Sequence, residues 1–86
     1  MIQQTSLESY FKVKKELGER QLQVLNCLHD LKEATNLMIA ETLSLPINTI
    51  TPRVFELRQE GLVVESYRDV CPISKRKAIF WRVKYG

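Results

Sequence analysis

The sequence predicts a mainly α, α+β domain in which helices fill the chain as far as Gly61 and two strands close it. Three observations carry this expectation. Apolar residues recur at intervals of three and four up to Gly61. Beyond it the pattern changes to alternation among β-branched and aromatic residues. The two alternating stretches are separated by a polar, basic connector.

Thr5 followed by Glu8 is a capping box, and Leu7, Tyr10, Phe11 and Leu17 then share one helical stripe, which predicts a first helix over residues 6–17. Gly18 punctuates. From Glu19 onward Leu22, Leu25, Leu28 and Leu31 step by three with Val24 widening the stripe, so a second helix is expected to end near Lys32. Thr35 or Asn36 then serves as N-cap of a short helix carrying Ile39, Ala40 and Leu43. Ser44, Leu45 and Pro46 turn the chain into a segment with Ile50, Val54 and Leu57 on one side, and Gly61 ends that segment as a C′ glycine.

Pro52 inside this last helical segment needs a reason, because an interior proline costs roughly 3 kcal/mol. Two readings stand: Thr51 caps a late-starting helix with Pro52 in its first turn, or Pro52 kinks a continuous helix. After Gly61, residues 62–67 and 78–85 read as strands, joined by the basic connector of residues 68–77. The expected core is Leu25, Leu28, Ile39, Leu43, Ile50, Val54, Leu57 and Trp81, with Phe55 and Phe80 also read as core aromatics.

At 86 residues the chain holds one small core and lacks room for a deep catalytic cleft beside a cofactor fold. No apolar run approaches the roughly 20 residues that span a bilayer, and the first residues show no signal pattern, so a cytoplasmic protein is expected. Cys27 and Cys71 lie on different elements without paired spacing and read as free thiols. The net charge of +3 is unevenly placed. Residues 1–45 hold five Lys/Arg against six acids, whereas residues 46–86 hold eight against four. The basic excess therefore belongs to the C-terminal half and favours a polyanionic partner there.

The string ATNLMIAETLSLPINTITPRVFELRQEGLV, residues 34–63, resembles the helix-turn-helix of winged-helix DNA-binding proteins, including MarR-type regulators and small phage-encoded DNA-binding proteins. Ile39 and Leu43 suit the inner face of the positioning helix, Ala40 the close crossing of two helices, Leu45 the turn, and Ile50 the anchor of the next helix. Ser44 stands where many such turns carry glycine, and most recognition helices lack the proline. The resemblance extends over residues 19–84. It implies a winged helix-turn-helix of three core helices and a two-stranded β wing over residues 19–86, preceded by an N-terminal helix over residues 1–18 that serves packing or dimerisation.

What the resemblance implies about function meets residues able to supply it. A major-groove reader needs short polar side chains near the helix N-terminus plus arginine for guanine edges or phosphates. Asn48, Thr49, Thr51 and Arg53 form such a set in the helix over residues 47–60, with Arg58 further along it. Arg68, Lys75, Arg76 and Lys77 form the basic wing, suited to backbone phosphates. The expectation is a sequence-specific binder of double-stranded DNA, a small transcriptional regulator that can pair as a homodimer, with no membrane or small-molecule partner. The rival is a winged helix used as a protein-interaction adaptor, since this fold does not certify DNA binding.

Enzymes find no support. His29 follows Cys27 by two on one helix, which supplies neither the four ligands of a structural zinc nor the three of a catalytic one. There is no glycine-rich phosphate loop and no set of partners for a nucleophile. No catalytic residue, metal or cofactor is expected.

Overall fold

The computed structural model describes residues 17–84. The expected helix over residues 6–17 therefore lies outside the described residues except for Leu17, which packs against the core. Three helices, α1 (Glu19–Leu31), α2 (Asn36–Leu43) and α3 (Ile47–Gln59), precede two strands, β1 (Val63–Val70) and β2 (Lys77–Val83), that pair antiparallel.

Local chemistry sets each boundary. Gly18 starts α1, its amide donating to Gln21 Oε1 at 2.9 Å, and Lys32 ends it with φ of 74°. Thr35, rather than Asn36, is the N-cap of α2: its hydroxyl accepts from the Met38 amide at 3.2 Å. Ser44 closes α2 at φ 56° and ψ 43°, so serine takes the left-handed conformation that glycine supplies in other turns. Gly61 takes φ of 77° after α3. Its amide donates to Arg58 O and that of Leu62 to Leu57 O, each at 3.0 Å, the paired bonds of a Schellman motif.

The helix carrying Pro52 is continuous. It begins at Ile47 after Pro46, so Thr51 is not its cap and the late-starting reading is corrected. Pro52 stands in the second turn, where it withholds an amide from the carbonyl of Asn48. Apolar anchoring outweighs that loss, because Ile50, Val54 and Leu57 bracket the proline and are all buried.

The wing is longer and its tip tighter than the sequence suggests. β1 runs on through Val70 and β2 starts at Lys77, so Arg68 and Lys77 lie on strands and the connector shrinks to residues 71–76. Cys71 N donates to Arg76 O and Lys75 N to Cys71 O, both at 2.8 Å, and Lys75 accommodates the reversal with φ of 64°. The register slips between Glu65 and Tyr67, a bulge at Ser66. The Ser66 hydroxyl donates to Glu33, tying the bulge to the end of α1.

The core gathers Val24, Leu25 and Leu28 of α1, Ile39 of α2, the inner stripe of α3, and Val63, Trp81 and Val83 of the wing. Leu43, expected inside, is only half-buried at the margin of this cluster, because α2 ends there. The wing is joined to the helices by backbone: Ala34 N donates to Trp81 O at 3.1 Å and Trp81 N to Ala34 O at 2.8 Å. Trp81 is 6% exposed, and the Arg58 guanidinium lies 4.7 Å from its ring centroid. Trp81→Ala should destabilise the domain by about 3 to 5 kcal/mol, read by urea titration of the purified variant. A loss under about 1 kcal/mol would show that the ring does not fill the core.

Candidate nucleic-acid interface

With Ile50, Val54 and Leu57 turned inward, helical periodicity places Asn48, Thr51, Pro52, Phe55 and Gln59 on the opposite side of α3, and all five are exposed. This outward stripe carries two amides, one hydroxyl and two apolar groups. It carries no charge. No side chain caps the helix start; the Thr49 amide donates to Pro46 O at 2.9 Å, and the amides of Ile47 and Asn48 before it are left to water or to a phosphate.

The arginines of α3 lie on its flanks and are engaged. Arg53 forms a bidentate pair with Glu56, Nε to Oε1 at 2.7 Å and Nη2 to Oε2 at 2.9 Å. Gln21 of α1 donates to the same Glu56 Oε1 at 2.8 Å, which fixes the pair against the neighbouring helix. The hydrogen bond from Arg53, and after it the one from Gln21, hold the Glu56 carboxyl below its ordinary range. Arg58 lies over Trp81 on the other side. Thr49, on the flank of α3 itself, is half-buried, so of the expected base readers Asn48 and Thr51 alone share the outward stripe.

Thr51 also marks where α2 and α3 meet. Asn36 Nδ2 reaches Thr51 Oγ1 at 3.5 Å, and Asn36 Oδ1 is buried without a hydrogen-bond partner among the described residues. Both residues line a groove of about 270 Å³, together with Ile47, Ile79 and Trp81. Asn36 and Gln59 were missed in the sequence, since neither departs from ordinary helix composition. Phe55 was misread: it is 55% exposed, whereas Phe80 and Trp81 are 7% and 6% exposed. Its spacing gives the reason, because it falls two residues before Leu57 and five after Ile50, off the inner stripe.

At the wing tip Lys75, Arg76 and Lys77 are consecutive and exposed. Arg68 on β1 is exposed too, paired with Glu65 at 3.2 Å. The tip is seated by Cys71, which is fully buried with Sγ 3.1 Å from Thr35 Oγ1, so the N-cap of α2 also holds the base of the wing turn. Burial raises the Cys71 pKa, but hydrogen bonds from Thr35 and from Ser74 and Ile73 outweigh it and leave the thiol below its ordinary range. Cys27 moves the other way, raised by burial and by Asp30. Both cysteines are free. Among the described residues no group of three or more His, Cys, Asp or Glu could hold a metal, and no helix is long and apolar enough to cross a membrane.

The Glu56 network has a pH signature. A carboxyl whose folded pKa is depressed contributes stability above its unfolded value of about 4.3, and that contribution is lost as pH falls through the folded value. Glu56→Gln should therefore flatten the decline of melting temperature between about pH 5 and pH 3. Parallel acid limbs for wild type and variant in thermal melts would contradict the linkage.

No protein-family model matches the chain, and no curated protein does. Solved structures do. A "possible transcriptional regulator" from Methanosarcina mazei Go1 superposes with a TM-score of 0.65 at 14% identity, covering 90% of this chain and 64% of that one. The multiple antibiotic resistance repressor MarR superposes at 0.61 with 17% identity, covering 96% of this chain and 61% of its own. The chain thus spans about three-fifths of the length of the structures it matches. Three helices, a turn closed by left-handed Ser44, an antiparallel pair of strands and these two superpositions identify the fold as a winged helix.

Proposed function

We propose that this chain is a sequence-specific double-stranded DNA-binding protein acting as a small cytoplasmic transcriptional regulator, with α3 in the major groove and the wing along the flanking backbone. The observation that carries the reading is the division of chemistry between two elements. The outward stripe of α3 is uncharged and hydrogen-bonding, while Lys75, Arg76 and Lys77 stand exposed at the wing tip. Base edges are read by side chains such as Asn48, Thr51 and their neighbour Thr49, and phosphates are met by cations. Arg68 extends the wing cluster. Arg53 and Arg58 sit at the two edges of α3, where exchange of Glu56 or the Trp81 ring for a phosphate would bring them into contact with the flanking backbone.

Titration of a fluorescent random duplex at two salt concentrations tests this most directly. Binding should weaken steeply with salt, and replacing Lys75, Arg76 and Lys77 together by alanine should lower the slope by roughly one unit per lost contact without altering sequence preference. Asn48→Ala should instead cost about 1 to 3 kcal/mol on a selected site and little on random duplex. The protein-interaction adaptor draws on the exposed apolar residues Phe55, Tyr67, Val70 and Ile73. Absence of salt-dependent duplex binding in the wild type would favour it.

The stripe Leu7, Tyr10 and Phe11 lies outside the described residues, and we assign it to a homodimer contact, since paired winged helices suit palindromic sites. Sedimentation of the full chain at tens of micromolar should give a dimer. A monomer there would remove this part of the reading.

A further inference from the structure

A half-exposed phenylalanine in the middle of the outward face of α3 has no role in the core. Phe55 is 55% exposed, and Pro52, one turn earlier on the same stripe, is exposed as well. Neither side chain can give or accept a hydrogen bond, yet both are flanked by groups that can: Asn48 and Thr51 before them and Gln59 after. Of the arginines that would recognise guanine, Arg53 is held in its bidentate pair with Glu56, and Arg58, exposed at the Thr51 edge of the stripe, lies with its guanidinium over Trp81. With both guanidiniums so engaged, the groups left along the middle of the outward face are amides that match adenine beside an apolar surface that matches the C5-methyl of thymine.

We propose that Phe55, backed by Pro52, is a specificity-determining residue that contacts thymine methyl groups in the major groove and directs the protein to sites with A·T pairs at the centre of the α3 footprint. The assignment rests on the DNA-binding reading above. The exposed positive charge of the wing tip selects the occupant of this apolar patch: a polyanion is drawn to the molecule by Lys75, Arg76 and Lys77, and among polyanions a DNA duplex presents methyl groups at groove depth. Burial of one methyl group against the ring corresponds to about a fourfold gain in affinity.

The experiment uses the full chain, wild type and Phe55→Ala, to select from a randomised duplex library. The selected duplex is then resynthesised with uracil in place of each thymine, which removes the methyl and leaves the pairing edge intact. Wild type should bind each critical uracil duplex about fourfold more weakly, Phe55→Ala should bind the thymine and uracil duplexes alike, and Phe55→Leu should retain part of the discrimination. Circular dichroism identical to wild type would show that the variants fold. Equal wild-type affinity for thymine and uracil duplexes, a G·C-centred selected site, or an undiminished methyl effect in Phe55→Ala would overturn the assignment while salt-dependent duplex binding left the DNA reading standing. Absence of any duplex binding would overturn both, and would turn Phe55 into a protein contact.

Discussion

The reciprocal backbone hydrogen bonds between Ala34 and Trp81 are the constraint on which the rest of the structure depends. They join the connection between α1 and α2 to the second strand of the wing, and so decide how a two-stranded ribbon is held against three helices. An isolated two-stranded ribbon is marginal in water. Here the ribbon acquires a third strand's worth of pairing at one residue, and that residue places an indole in the core, where α1 and α3 close on it. Ala34 is itself fully buried, so its bridging amide and carbonyl are shielded from water. The next residue, Thr35, then performs two tasks with one hydroxyl, capping α2 and touching the buried Cys71 at the base of the wing tip. Helix start, strand and turn are thus fixed within two residues.

That arrangement also governs the chemistry at the surface. Because Trp81 lies beneath α3, Arg58 can settle on its ring, and because α1 lies alongside, Gln21 and Glu56 can capture Arg53. The scaffold absorbs the cations of α3 and leaves its outer stripe neutral, while the wing keeps its charge exposed. Exposed charge and exposed uncharged hydrogen-bonding groups are consequently carried by different elements: a six-residue turn seated by one thiol and a helix anchored by three buried side chains.

Most of the fold was legible because the relevant signals are local. Periodicity in three and four marks the helices, Gly18 and Gly61 mark ends, and the change of period after Gly61 marks the wing. What could not be read depends on neighbours distant in sequence. The extension of β1 through Val70 depends on partners seven to eleven residues away across the turn, and the Cys71 turn that shortens the connector is seated by Thr35. Arg53 and Arg58 looked alike as free cations, and only packing of α1 and β2 against α3 reveals where each guanidinium goes. Phe55 differs, since its phase separates it from Ile50, Val54 and Leu57 and puts it outside the core despite its bulk. Pro52 was open on sequence because first-turn and interior placements leave the same residues exposed.

The interior position of Pro52 has a consequence for how α3 meets a surface. By withholding one amide, the proline leaves the Asn48 carbonyl without its ladder bond, while the helix runs on unbroken to Gln59. The far end is held by Val54 and Leu57 and by the Schellman closure at Gly61, and the near end by Ile50, by the Thr49 amide on Pro46 O and by the long contact from Asn36 to Thr51. A backbone acceptor that an amide at position 52 would have consumed therefore remains unused on the outward stripe, with the Asn48 side chain before it and Phe55 beyond it.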